Sequence, residues 1–404
     1  MNDTAFQKFI RDGFPDFLDL PWENELGGWV QLLQQQLVEV PIGISRHPVL
    51  FIELDDVIYA LKELCPEDAK REFEILLKIE QASLPVVQPV GYVNVDSNQK
   101  ARSVLITRFL EGSLPYRMLF MRPGLENYHR YLFDAIASLL VQLHLAGFYW
   151  GDCSLSNTLF RRDAGTLQAY LVDAETSEYF PNFIPPAMRV HDLQIMEESV
   201  TSELLEIYDK GYNPKFEPRI PLFSAGSYIS LQYQKLWEQV MVDQVIGSDE
   251  HYLIQERVRA LNDLGFSVGD IELDKTSKGN QLKMHIVVTD RNFHSSKLYN
   301  LTGVEAEELQ AQKMMNEIQE IRAVRSHEAN QNLPLAEVAS FWLENIYQPV
   351  VDRLSDVRDQ HTTLTELYCQ ILEHKWYLSE QAYHDVGHFA AVDDFINWIA
   401  TGEK

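Results

Sequence analysis

Three residues stand at spacings suited to work on phosphate groups. In Gly151-Asp152-Cys153-Ser154-Leu155-Ser156-Asn157 a carboxylate is followed, five residues on, by a side-chain amide, and Asp173 closes the apolar run Tyr170-Leu171-Val172. Moving a phosphoryl group from ATP to a hydroxyl asks little covalent help of a protein. It asks for hard oxygen ligands around magnesium, cations on the phosphates, and a carboxylate that orients the attacking hydroxyl. Asp152 suits the last task, and Asn157 and Asp173 suit the first. Asp-x4-Asn alone is a common loop pattern, because both residues favour turns and helix caps. The expectation therefore rests on the setting.

That setting is an orderly alternation of elements. Leu37–Pro41, Val49–Leu54 and Val57–Leu64 read as strands of an antiparallel meander. Pro66 and Asp68 then open a charged helix over Glu67–Gln81, with Phe73, Leu76, Leu77 and Ile79 as its apolar side. A strand pair over Val86–Val95 and Arg102–Phe109 leads to the clearest helix, Tyr128–Leu145, where Leu132, Ile136, Leu139, Leu140 and Leu143 form a buried stripe. The loop Gly147–Asn157 and a small hairpin turning at Asp163-Ala164-Gly165 place the three candidates on adjoining edges. A helix over His191–Tyr208 ends at the turn-rich Gly211–Pro221, which predicts a domain boundary. Beyond it, Tyr252–Leu264 reads as a helix, Phe266–Leu273 and Leu282–Thr289 as strands, and Val304–Val324, Leu335–Leu354, Thr363–Leu378 and Val392–Ala400 as helices.

Composition narrows the function classes. Thirty-four Lys and Arg against 60 Asp and Glu give a formal charge of -26, which repels nucleic acid and anionic lipid unless a local basic patch overrides it. Three widely spaced cysteines, Cys65, Cys153 and Cys369, suggest neither a disulfide framework nor a zinc site and fit a reducing compartment. With no secretory signal or stretch of about 18 apolar residues, a soluble cytoplasmic protein is expected.

Leu143-His144-Leu145-Ala146-Gly147-Phe148-Tyr149-Trp150-Gly151-Asp152, with Asn157 and then Val172-Asp173-Ala174-Glu175, resembles the catalytic and metal-binding loops of the protein-kinase-like superfamily. The Gly-Asp step brings it nearer the aminoglycoside and lipopolysaccharide (Kdo/WaaP-type) kinases than typical protein kinases. The whole chain also resembles a bacterial family of unknown function whose amino-terminal half is described as lipopolysaccharide-kinase-like. The resemblance implies that Asp152 is the catalytic base, that Asn157 and Asp173 hold Mg2+, and that Lys62, paired with Glu72, holds the ATP phosphates. It further implies a nucleotide loop around Gly43, a hinge whose backbone at Arg108, Phe109 and Leu110 reads the adenine, and an aspartate, Asp192, bracing the catalytic loop. The sequence departs from the pattern with Trp150 in place of the usual histidine, Asp173-Ala174-Glu175 for Asp-Phe-Gly, and a single glycine over residues 42–48.

The expectation is an α+β protein: an extension over 1–29, a two-lobed kinase-like domain over 30–215 (lobes 30–108 and 109–215), and an α/β and helical domain over 216–404. Its expected function is ATP- and magnesium-dependent phosphotransfer to a sugar or other small hydroxyl acceptor, with a protein acceptor second. The rival is a pseudokinase serving as a nucleotide-sensing or protein-binding module. Glu175 is weighed equally as a third metal ligand and as an exposed turn acid, and Asp290–Lys297 as an anion-binding or, more simply, a solvated loop.

Overall fold

The computed structural model describes residues 5–33, 36–40, 47–97, 100–121, 128–181, 183–209, 224–241, 244–247, 270–275, 281–287, 293–328, 331, 333–358 and 362–401. Gly43 and the helix expected over 252–264 lie outside them. The chain divides into two compact units, one made of 1–161 and 168–241, the other of 162–167 and 242–404.

The first unit opens with a five-stranded antiparallel sheet of order β1-β4-β5-β3-β2, built from β1 (Ala5–Ile10), β2 (Val49–Leu54), β3 (Val57–Leu64), β4 (Gln88–Ser97) and β5 (Lys100–Arg108). Strand periodicity sends alternate side chains to opposite faces. Tyr59 and Leu61 of β3 enter a core with Phe17, Trp22, Leu26 and Trp29, and Lys62, the next residue along the strand, emerges on the other side. Helix α2 (Pro66–Gln81) carries buried Glu72, Ile75, Leu76 and Ile79 and packs on β4 and β5.

Residues 1–29, expected as an extension, contribute a strand and much of that core. β1 pairs along its whole length with β4, from Ala5 opposite Asp96 to Ile10 opposite Gly91. Arg102 ties the following segment down, its guanidinium donating to the Trp22 and Asn24 carbonyls at 2.5 and 2.6 Å while pairing with Glu63 at 3.2 Å.

The remainder of this unit is mainly helical. It comprises β6 (Leu114–Pro115), α3 (Tyr116–Met121), α4 (Tyr128–Leu145), β7 (Phe148–Tyr149), β8 (Thr158–Asp163) and β9 (Thr166–Leu171) apart from their joined ends over 162–167, β10 (Glu178–Tyr179), α5 (Pro186–Asp209) and α6 (Ala225–Met241). The apolar stripe of α4 is buried throughout. α6 packs on α4 and α5 through Ile229, Tyr233 and Leu236, so these contacts group it with the first unit and the division falls after Met241, beyond the turn-rich 211–221.

In the second unit β11 (Gln244–Gly247), β12 (Asp270–Lys275) and β13 (Gln281–Val287) form an antiparallel sheet with β13 in the middle. Its helices are α7 (Phe293–Thr302), α8 (Glu308–Glu328), α9 (Leu335–Trp342), α10 (Gln348–Leu354), α11 (Leu364–Ala382) and α12 (His388–Thr401). Met314, Ile318, Trp342, Leu354, Tyr368 and Val392 are among its core residues. Phe293–Lys297, expected in a loop, begins α7, and Glu308 holds His294 there by its backbone N–H and by its Nδ1 at 2.7 Å. No helix among the described residues is long and apolar enough to cross a membrane.

Candidate active site

A cavity of about 580 Å3 lies within the first unit. Its apolar part includes Val49, Ala60, Val87, Leu105, Leu159 and Val172, and its polar part brings together Lys62, Glu72, Asp152, Asn157, Asp173 and Glu175. The strand and helix periods explain the first pair: Lys62 leaves β3 on the face that α2 covers, and Glu72 lies on the buried side of α2. Lys62 Nζ donates to Glu72 at 3.0 Å, to Asp173 Oδ2 at 2.6 Å and to Glu175 at 3.3 Å.

Four charges thus meet with three carboxylates against one ammonium. Burial acts to lower the Lys62 pKa, but Glu72 and Asp173 outweigh it and hold it above the usual lysine range. Burial, reinforced by Asp173, pushes the Glu72 carboxyl up to about 8 although Lys62 opposes the shift. Oxygen atoms of Glu72, Asp173 and Glu175 lie within 4.8 Å of one another, a hard-oxygen cluster with excess negative charge that fits a divalent cation. His47, the first described residue of the stretch 42–48, reaches Glu175 at 3.2 Å.

Asn157 Nδ2 donates to the Asp152 carbonyl and to Asp152 Oδ2, both at 3.1 Å, which leaves Oδ1 as the amide atom available to a cation. The loop between them is fastened from below. Asp192, fully buried in the second turn of α5, accepts the Trp150 and Gly151 N–H groups at 2.8 Å each and the His144 ring at 3.0 Å. Burial lowers the His144 pKa and keeps the ring neutral, so Nε2–H donates to Asp192 while Nδ1 accepts the Tyr233 hydroxyl at 2.8 Å. Gly151 stands at φ +82° with the Thr176 carbonyl 2.7 Å from where a Cβ would sit, which is why this position needs glycine.

Arg108, Phe109 and Leu110 line the same cavity. Part of that backbone is already engaged: Phe109 N–H donates to Ile58 at 2.8 Å, and the Leu110 carbonyl accepts from Ser113 at 3.2 Å. Sequence reasoning missed Glu203, which accepts the N–H groups of Leu155 and Ser156 at 2.8 and 3.0 Å and the Ser156 hydroxyl. It also missed Tyr233 as the far end of the Asp192 chain. Glu203 bears no local signal, whereas His144 lies within the loop motif itself. Trp150, in the place of a histidine, is buried and donates Nε1–H to the Asp173 carbonyl at 3.2 Å, linking the two loops.

Residues 56–214 match the family described as lipopolysaccharide kinase (Kdo/WaaP), and residues 235–399 match a domain of unknown function (DUF4032). No curated protein matches the chain. Among solved structures, "WaaP in complex with acyl carrier protein" is similar at 16% identity and TM-score 0.36, over 64% of this chain and 99% of that one. "Crystal structure of aminoglycoside-3'-phosphotransferase of type VIII" is similar at 13% identity and TM-score 0.35, over 57% of this chain and 93% of that one. Over residues 56–214, then, the chain is similar to the lipopolysaccharide kinase (Kdo/WaaP) family.

Proposed function

We propose that the protein is an ATP- and magnesium-dependent phosphotransferase acting on a hydroxyl group of a sugar or other small molecule in the cytoplasm. The supporting observation is the convergence of Lys62, Glu72, Asp152, Asn157 and Asp173 on one cavity, with Lys62 bonded to both Glu72 and Asp173. Three free cysteines suit a reducing compartment.

In this reading Asn157 Oδ1 and Asp173 would hold Mg2+, which would supply neutralisation of charge on the phosphate oxygens. Lys62 exchanges its bond to Asp173 for one to phosphate, and Glu72 keeps the ammonium aimed into the cleft. Asp152, its Oδ2 fixed by Asn157, accepts a hydrogen bond from the acceptor hydroxyl and takes its proton as that oxygen bonds to the γ-phosphorus and the bond from phosphorus to the bridging oxygen breaks, releasing ADP. The apolar wall of Val49, Ala60, Leu105 and Val172 receives the adenine.

Thermal unfolding with and without Mg-ATP tests the nucleotide site, because a ligand that binds only the folded state stabilises it by about 2.7 kcal/mol at a hundred times its Kd. A magnesium-dependent shift is expected for the native protein and for Asp152→Asn, and none for Asp173→Ala. Asp152→Asn should lower turnover by about 10^2–10^4-fold. A shift without turnover on any hydroxyl acceptor favours the pseudokinase reading, in which the module senses nucleotide. No shift at millimolar ATP sinks phosphotransfer and nucleotide sensing alike and leaves the protein-binding module.

A further inference from the structure

The turn of the β8–β9 hairpin is an integral part of the second unit. Asp163 is 1% exposed and accepts the backbone N–H groups of Leu309 and Gln310 at 3.1 and 2.8 Å, so it caps the N-terminus of α8 from a distant segment. Glu366, also 1% exposed, accepts the N–H groups of Ala164 and Gly165 at 2.7 and 2.9 Å, one on each oxygen. Gln310 Nε2 joins the two halves, donating to Glu366 at 2.9 Å and to the Arg162 carbonyl at 3.3 Å. Lys313 Nζ donates to the Ala164 carbonyl at 2.8 Å.

This pattern is more than a surface turn resting on a neighbour. Ala164 is 5% exposed and belongs to the second unit's apolar core with Met314, Leu367 and Cys369. Its φ of +53° and the +84° of Gly165 are the left-handed pair of a tight hairpin turn, a conformation that an alanine adopts only when its surroundings fix it. Two buried carboxylates without these amide donors would be costly, and burial already holds Asp163 well above the usual carboxylate range. The socket and the turn complete each other.

The hairpin matters because of what lies at its other end. Asn157 directly precedes β8, and Asp173 follows β9 by two residues, so both proposed metal ligands are extensions of these paired strands. We infer that the second unit serves as a clamp that grips the β8–β9 turn and thereby fixes the spacing of Asn157 and Asp173, with Glu366, Asp163 and Gln310 as positioning residues. The positioning half of this inference rests on the phosphotransfer reading; the grip itself does not.

Glu366→Gln in the full chain separates the two. Gln offers one acceptor oxygen and turns an NH2 group on the second turn amide, so hydrogen exchange at Ala164 and Gly165 should become about ten-fold faster, the loss of one such bond. Asp163→Asn leaves the Glu366 bonds to the turn in place and keeps one oxygen for the two α8 amides, so exchange at Leu309 or Gln310 should quicken instead. In both variants the Mg2+ concentration giving half-maximal stabilisation by ATP should rise several-fold, while metal-free ATP binding stays unchanged. Unchanged exchange in both overturns the clamp; faster exchange with an unchanged Mg2+ requirement overturns the positioning. If the native protein binds no Mg-ATP, positioning falls together with the phosphotransfer reading, and the exchange result still decides the grip.

Discussion

Replacing Asp192 with asparagine should loosen the loop from Trp150 to Asn157 by an amount that follows from three hydrogen bonds. The carboxylate serves three donors with two oxygens: Gly151 N–H on Oδ1, and Trp150 N–H and the His144 ring on Oδ2. Asparagine supplies one oxygen and an NH2 group. His144 can accommodate the change by exchanging its tautomer, but one backbone N–H, from Trp150 or Gly151, is left facing another donor. A buried donor without an acceptor costs about 1–3 kcal/mol, and the surviving bonds lose their charge assistance, so the total comes to about 2–4 kcal/mol. For a unit of this size each kcal/mol lowers Tm by about 2–4 °C, which predicts a fall of roughly 5–15 °C in the transition followed by circular dichroism. Asp192→Ala leaves all three donors without an acceptor and should not accumulate as folded protein. A drop of less than about 2 °C in Asp192→Asn would refute the assignment of Asp192 as the fastening of this loop.

Other outcomes follow from the same geometry. Gly151→Ala meets the Thr176 carbonyl and a positive φ, so it should reduce turnover and Tm together, whereas Gly13→Ala, at φ +88° with open space around it, should cost only about 1 kcal/mol. Lys62→Met leaves Glu72 buried without its cation and should destabilise the first unit by about 3–5 kcal/mol at high pH, read by urea unfolding. In the second unit burial acts to raise the Glu317 pKa, but His388, Tyr368 and Trp342 hold it below the usual value of 4.5. That contribution to stability is complete above pH 4.5 and is lost as the pH falls through the lowered value, and Glu317→Gln should remove this part of the acid dependence.

Much of the site was legible because its signals are local. The Asp152-to-Asn157 spacing, the end of β9 at Leu171 and the α4 stripe all lie within short windows, and Lys62 and Glu72 sit on adjacent elements. Features requiring distant partners were not. β1 alternates weakly and finds its partner some 85 residues on, so it read as an extension. The start of α8 at Glu308, four residues later than the pattern suggested, is set by Asp163, which no window around residue 308 contains. The turn-rich 211–221 looked like a boundary, yet the Tyr233–His144 bond, 89 residues apart in sequence, belongs to the first unit.

The pairing of β1 with β4 also sets an order of events during synthesis. Ala5 lies opposite Asp96, and the Trp22–Asn24 carbonyls wait for Arg102, so the first strand emerges about ninety residues before its partner. At about 5–20 residues per second, that strand edge and the aromatic residues behind it stay exposed on the nascent chain for roughly 5–20 s. Chaperone capture of stalled chains should therefore be strongest when translation halts between residues 30 and 95 and should fall once β5 is released.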